Sequence, residues 1–301
     1  MLDVAKPVRV EKAYMLDTVE GQPARLVLDL VATDRDSFLR MLALDIKAAR
    51  PTEMARMPGP LSKGDQRPII VLDPGHGGID YGTRATSGET EKTLVLDFAL
   101  QLRDQIEKTG KYHVVMTRTD DTFVPLAERV RIARARQALL FISIHADALQ
   151  RGDGEAQGAT IYTLSDIASD AEAARLAEAE NRADVIAGIN LSAEPDDVAG
   201  ILIDFAQRET KAFSLHFART LATELKSVVR LHKHPLKSAG FKVLKAPDVP
   251  SVLIELGYVS NQQDLKQLTS SAWRARTVVS TVQAIDTFFT TRLAGASAGP
   301  N

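Results

Sequence analysis

Cysteine is absent from the 301-residue chain. That excludes disulfides and thiolate-ligated metal sites, so any metal must be held by His, Asp or Glu. Aromatic residues make up only 5%, and Trp273 is the sole tryptophan, so a carbohydrate platform of stacked tryptophans is not expected. No run approaches 18 consecutive apolar residues, and no membrane span is expected. The opening MLDVAKPVRV lacks a basic stretch followed by an apolar one, so no export signal is visible. The chain is therefore expected to be either cytosolic or the trimmed part of a longer precursor. Internal repeats and low-complexity tracts are also missing.

What is present fits a soluble globular protein, with 45% hydrophobic and 25% charged residues, enough for one large domain and an appendage. The net charge of −2 hides an asymmetry: residues 165–210 carry 11 acidic and 3 basic side chains, a local −8, which leaves the remainder at +6. A mildly basic body suits an anionic polymer such as a cell-wall glycan; nucleic acid is not an expected partner.

Residues 1–50 contain an extended apolar run, Arg25–Val31, and a helical pattern from about Asp36 to Ala49. One strand and one helix cannot bury a core alone, so this stretch reads as the remnant of a preceding domain. Pro51, Pro58, Gly59, Pro60 and Gly64 mark 51–67 as a linker. From Pro68 strands and helices alternate. Strands are expected at 69–72, 113–116, 139–144, 159–164, 241–244 and 252–255. Leu94, Phe98, Leu102 and Ile106 form one helical stripe ended by Gly110, a helix opens at Pro125, and another closes the chain near 272–293. The pattern predicts an α/β fold, a mostly parallel sheet with helices on both faces, plus a helical insertion. The domain spans 68–295, with 296–301 as a tail.

Functional groups collect at the carboxyl ends of strands in such sheets. Here one strand runs into His76, one ends at His145 and one at Glu255. Each histidine alone is as well read as a turn or core residue. A carboxylate closing an apolar strand is costly unless paired, protonated or metal-bound. Two histidines and a carboxylate at three strand ends make a metal site, and zinc suits N/O ligands best.

The segments VLDPGHGGIDYGT (71–83), Glu91-Lys92, MTRTDD (116–121), LAERVRIA (126–133), FISIHAD (141–147) and VLIELGYVSN (252–261) occur in order. In these motifs, across roughly residues 68–290, the chain resembles the zinc-dependent N-acetylmuramoyl-L-alanine amidases that split daughter cells. The resemblance implies zinc held by His76, Glu91 and His145, with Glu255 as the catalytic carboxylate that moves protons at the cut amide. It also implies that residues 1–50 end a β-rich wall-targeting domain, and a periplasmic protein whose export signal lies upstream. Glu91 is not singled out by the bare sequence; Glu89, beside it at the helix start, is the fallback. His113 and His216 read as ordinary, and His232 and His234 as part of a basic solvated loop.

The acidic stretch is an insertion, with Ser165–Ala187 reading as a helix whose only large apolar residue between Ala168 and Asp184 is Leu176. A helix with one strong anchor docks weakly and can leave. Glu180, four residues after Leu176, shares its face. The resemblance implies that this helix covers the active site with Glu180 on the zinc, Glu172 being the second choice, and that a protein activator displaces residues 165–210. Ile186, Ile189 and Leu191 are candidate activator contacts. Two rivals stay open: a zinc peptidase cutting within the stem peptide, and a non-catalytic wall-binding module.

Overall fold

The computed structural model describes residues 8–16, 25–33, 65–148, 157–186 and 200–297. The chain divides into two compact units, Met1–Asp65 and Gln66–Asn301. In the first unit, β1 (Val8–Leu16) and β2 (Arg25–Ala32) form an antiparallel pair with an irregularity between Val10 and Lys12. β2 is the apolar run; β1 is a strand the sequence reading passed over. The helix expected near 36–49 and most of the linker lie outside the described residues.

The second unit is built on a six-stranded sheet. Its strands are β3 (Ile69–Pro74), β4 (His113–Met116), β5 (Leu140–His145), β6 (Ala159–Leu164), β7 (Leu231–Ala239) and β8 (Ser251–Glu255), of which β3, β5 and β8 are built on continuous apolar runs. They lie in the order β4-β3-β5-β8-β6-β7. Each neighbouring pair is parallel except β8–β6, so β6 and β7 run against the rest. The fold is α/β with a mixed sheet.

Both faces are covered. Ile70, Leu72, Ile142 and Ile254 pack in one core with Phe98 and Leu102 of α1 (Glu91–Lys108), Phe217 of α5 (Gly200–Leu225) and Phe288 of α7 (Ser271–Ser297). Val71, Phe141, Tyr162 and Leu253 face the other core, with Leu126 of α2 (Leu126–Ala135) and Leu176 of α3 (Ala171–Glu180). A strand buried on both faces needs apolar side chains in both directions, which is why these strands read as unbroken apolar runs. The α1 stripe is buried as the spacing requires, and Gly110 follows it at φ 70, a left-handed turn open to glycine at no steric cost.

Three local expectations are corrected. Residues 241–244 are a short 3-10 turn (Lys242–Leu244), not a strand. The supposed basic loop is strand β7, and His232 within it is buried while His234 is exposed. At the sheet edge β7 tolerates Pro235 and the solvent-facing Lys233, so its apolar signal is diluted. The acidic stretch is not one helix: α3 starts after the N-cap Asp170, whose side chain accepts from the Ala173 N–H, and a short α4 (Ala183–Ile186) follows it. The chain closes through α6 (Gln262–Leu268) and α7. Among the described residues no helix is long and apolar enough to cross a membrane.

Candidate metal centre and active site

β3 leads into Gly75 and His76, while the β5–β8 register sets His145 opposite Glu255 at the matching strand ends. Glu91, the first residue of α1, points its carboxylate between the two imidazoles. Its Oε1 lies 3.1 Å from His76 Nε2 and 3.3 Å from His145 Nδ1. The Ala146 N–H donates to Oε1 at 2.8 Å and the Thr83 N–H to Oε2 at 2.9 Å, which fixes the carboxylate plane. His76 Nε2 and His145 Nδ1 are buried and lack a hydrogen-bond partner despite those short separations. Two unpartnered ring nitrogens beside one carboxylate oxygen leave a place for a cation among the three atoms. Ligands on a tetrahedral zinc with bonds of about 2.0–2.1 Å stand about 3.3 Å apart, matching this spacing. His76, Glu91 and His145 form a group able to hold a metal, with one ligand atom each within 4.8 Å of the others. Glu89 is not in the group and bonds Ser87 near the surface.

Charge argues the same way. Around the two histidines gather Glu91, Glu180, Glu255 and Asp147, all but Asp147 buried. Burial and the carboxylates of Glu91 and Glu180 push Asp147 up to about 7, and burial with Glu91, Asp147 and Glu180 raises Glu255 well above the carboxylate range. For His76, burial alone would lower the pKa, but the Glu91 and Glu180 charges outweigh it and raise it. Carboxyl groups gathered this closely around two imidazoles suit a bound cation.

The support of this cluster was only partly legible in the sequence. Asp80 Oδ2 sits 2.9 Å from His76 Nδ1 and its Oδ1 accepts from the Gly82 N–H. That contact orients the ring so that Nε2 faces Glu91; an Asp four residues after the histidine was the available signal. His76 itself is left-handed at φ 60, a conformation uncommon for a side-chain residue and frequent at functional sites. A Cβ on Gly75 would stand 2.4 Å from His145 Cε1, and one on Gly82 would stand 2.6 Å from Glu91 Oε2, so these glycines let backbone pack onto the ligands.

Two arginines hold the loop. Arg118 donates to the carbonyls of Pro74, Gly75 and Lys92. Arg129 donates to Asp73 Oδ1 at 2.9 Å and to the Val124, Pro74 and His76 carbonyls. Asp73 also accepts from Thr117 Oγ1 and Ser143 Oγ. Burial would raise its pKa, but Arg129 and the two hydroxyls hold it below the usual range. Both arginines lie inside motifs, yet periodicity could not tell a buried arginine from a solvated one. Arg129→Met strands the Asp73 carboxylate, so we expect a loss of about 3–5 kcal/mol, measured by chemical denaturation. With Asp73→Asn added, the loss should fall short of the sum.

Glu255 lies at the base of the site, fully buried. Its Oε2 accepts from the Asp147 N–H at 3.0 Å, while Oε1 has no partner. Glu180, at the end of α3, brings Oε2 to 3.2 Å from His145 Nδ1 and 3.8 Å from His76 Nε2. Glu172 points elsewhere, accepting from the Tyr258 hydroxyl and pairing with Lys237. α3 is held more firmly than its lone leucine suggested. Ala173, Leu176 and Ala177 are buried. Asn181 bonds the backbone of Gly240 and Lys242, and Asp184 Oδ1 accepts from the Leu126 N–H at the start of α2. The cavity left beside His76, His145 and Glu180 is about 10 Å³, at the lower limit for a single water. Ile186 is exposed; Ile189 and Leu191 lie outside the described residues.

The mixed α/β sheet thus carries, at the ends of its strands and the start of α1, a His–Glu–His group able to hold a metal, and comparison with known proteins gives the class. The sequence profile of N-acetylmuramoyl-L-alanine amidases matches residues 70–287, and the chain belongs to that family. N-acetylmuramoyl-L-alanine amidase AmiC of Escherichia coli O6:H1 is 37% identical over 287 residues, which cover 92% of this chain and 68% of that protein. AmiA of Escherichia coli K12 is 37% identical over 228 residues, 75% of this chain and 78% of that one. Among solved structures, the catalytic domain of CwlV from Bacillus (Paenibacillus) polymyxa aligns at TM-score 0.54 and 24% identity, covering 74% of this chain and 98% of that one. The CwlD amidase of Clostridioides difficile, solved in complex with the GerS lipoprotein, aligns at TM-score 0.54 and 24% identity, covering 75% and 100%. These likenesses carry the fold.

Proposed function

We propose that this chain is a zinc enzyme that hydrolyses the amide between N-acetylmuramic acid and the L-alanine of the stem peptide, held closed by α3. The observation that carries the reading is the convergence of His76 Nε2, His145 Nδ1 and Glu91 Oε1, two of them buried nitrogens without a hydrogen-bond partner. These three residues would hold the metal. When bound, zinc supplies Lewis acidity toward the amide and lowers the pKa of its water to about 7. Glu255 supplies the proton transfers: its unpartnered Oε1 accepts a proton from the attacking water and returns it to the leaving L-alanine nitrogen. Asp80, Arg118 and Arg129 keep the loop and His76 in place. Asp73–Ser143 and Asp147–Thr83 contacts tie that loop to β5.

Glu180 reaches both ring nitrogens from α3, and the cavity of about 10 Å³ beside them does not admit a sugar or a peptide. We infer autoinhibition relieved by a protein activator that withdraws the 165–210 segment; one family structure, CwlD, holds a lipoprotein partner. Because peptidoglycan lies outside the cytoplasmic membrane, the working protein is periplasmic, and restraint by α3 suits wall splitting at the division septum, where unregulated cutting would lyse the cell. In this reading residues 1–50 belong to a wall-targeting domain, 51–67 to a linker and 68–295 to the catalytic domain.

The test combines metal analysis with product analysis on purified peptidoglycan. One zinc per chain is expected, removed with activity by a chelator and restored with it, and the new ends should be L-alanine amines. New amines at other stem positions would establish the peptidase instead. Zinc-free chain that hydrolyses at full rate would remove the metal from the reaction.

A further inference from the structure

The contacts of Glu172 are not those of a surface helix. Its Oε2 lies 2.8 Å from Lys237 Nζ and 3.9 Å from His232 Nε2, and its Oε1 accepts from the Tyr258 hydroxyl at 3.1 Å. Lys237, His232 and Tyr258 are each at least nine-tenths buried. All three belong to the body of the domain: two are on β7, and Tyr258 follows Glu255 by three residues. Both ion-pair partners of Lys237 among the described residues, Glu172 and the N-cap Asp170 at 3.3 Å, ride on the α3 segment. Withdrawal of α3 therefore leaves the Lys237 ammonium without its two counterions at a place where an incoming anion can pair with it. The body also keeps a phenol hydroxyl and an imidazole aimed at the same vacated spot, a polar donor set matched to a carboxylate.

The spacing gives this meaning. Glu172 and Glu180 are eight residues apart on one helix, about 12 Å along its axis. An extended peptide covers about 3.3–3.6 Å per residue, so a chain leaving the metal cluster reaches the Glu172 position within three to four residues. A stem peptide with glutamate second and a diamino diacid third carries a carboxyl group outside the peptide chain at both of those positions, and either can be free or amidated.

We propose that Lys237, His232 and the Tyr258 hydroxyl form a carboxylate subsite, filled by Glu172 while α3 is docked and by a stem-peptide carboxylate when α3 withdraws. α3 thus imitates the substrate twice, with Glu180 at the metal cluster and Glu172 at the subsite. The proposal rests on the amidase reading and on release of α3.

The experiment uses the full zinc-loaded chain carrying Glu172→Ala, Glu180→Ala, Asn181→Ala and Asp184→Ala, which removes the side-chain contacts that tie this segment to the cluster, the subsite, Gly240, Lys242 and Leu126 and so releases both positions. Its substrates are soluble muramoyl peptides with both stem carboxylates free, with the glutamate amidated, or with the third residue amidated. Amidation at one of the two positions should lower kcat/KM by about tenfold or more, chiefly through KM, as loss of one charge-assisted contact does. Adding Lys237→Gln should shrink that ratio to about twofold or less. Tyr258→Phe, which removes one hydroxyl and no charge, should shrink it in part and decides the matter if Lys237→Gln does not fold. Equal rates on all three substrates, or a ratio untouched by these variants, overturn the subsite while leaving the amidase reading intact. If the opened chain cuts none of them at the muramoyl–alanine bond, the amidase reading falls and the subsite with it.

Discussion

Glu255→Gln is expected to keep its zinc and lose turnover by about 10²–10⁴-fold, the usual cost of removing a general base. The substitution is nearly isosteric, and Glu255 is not one of the three convergent ligand atoms. Its Oε2 acceptor role toward the Asp147 N–H can be kept by the amide oxygen, so the fold and the ligand cage should survive. What is lost is a group that takes and returns a proton at the unpartnered Oε1 position. His76→Ala provides the contrast. It deletes a ligand at the centre of the cluster, so zinc content and hydrolysis should vanish together, and His145→Ala should behave alike. The pair of readouts, zinc per chain by elemental analysis and L-alanine ends released, separates holding from chemistry. Near-wild-type hydrolysis by Glu255→Gln would remove its assigned role, and full zinc occupancy in His76→Ala would remove that histidine from the centre.

Glu180→Ala is expected to raise peptidoglycan hydrolysis by about tenfold to a hundredfold without changing zinc content. A charge-assisted contact is worth about 1.5–3 kcal/mol, and each 1.4 kcal/mol moves the closed–open equilibrium tenfold. The gain should stay below that of full release, because α3 keeps Leu176 in the core, Asn181 on Gly240 and Lys242, and Asp184 on the start of α2. Moving a 1:99 equilibrium to 99:1 takes about 5.5 kcal/mol, more than one side chain supplies, so a partner must break several of these contacts at once. Deleting about residues 166–208 should exceed Glu180→Ala in rate but also removes the Asp184 acceptor and the first turns of α5. The point variant is therefore the cleaner measurement. If it hydrolyses no faster than the parent while folded and zinc-loaded, α3 is an acidic cover and not an inhibitor.

Reading the sequence went furthest where one physical constraint acted on a short stretch. β3, β5 and β8 are legible because strands buried on both faces must be apolar throughout. The α1 stripe is legible because one helix face meets one core. β7 is not, since an edge strand mixes the exposed Lys233, Pro235 and the Lys237 that pairs with α3 into its pattern. The 3-10 turn at 242–244 carries the same apolar residues a strand would, and only its backbone distinguishes it. Position at a helix start does not separate Glu91 from Glu89; the motif resemblance favours Glu91, and the Thr83 and Ala146 N–H groups hold its carboxylate at the cluster.

By itself, then, the sequence determined that the fold is α/β, that any metal is held without sulfur, and that His76, His145 and Glu255 stand at strand ends. Local periodicity and the position of a residue along its element are enough for that. Only the tertiary structure decided that Glu91 completes the cluster, that Asp80, Arg118 and Arg129 hold it, and that Glu180 faces it while Glu172 meets Lys237. Those outcomes depend on which side chains from distant segments share a few ångströms, and the strength of a charge contact is set by that distance and by burial, neither of which is written in the order of the residues.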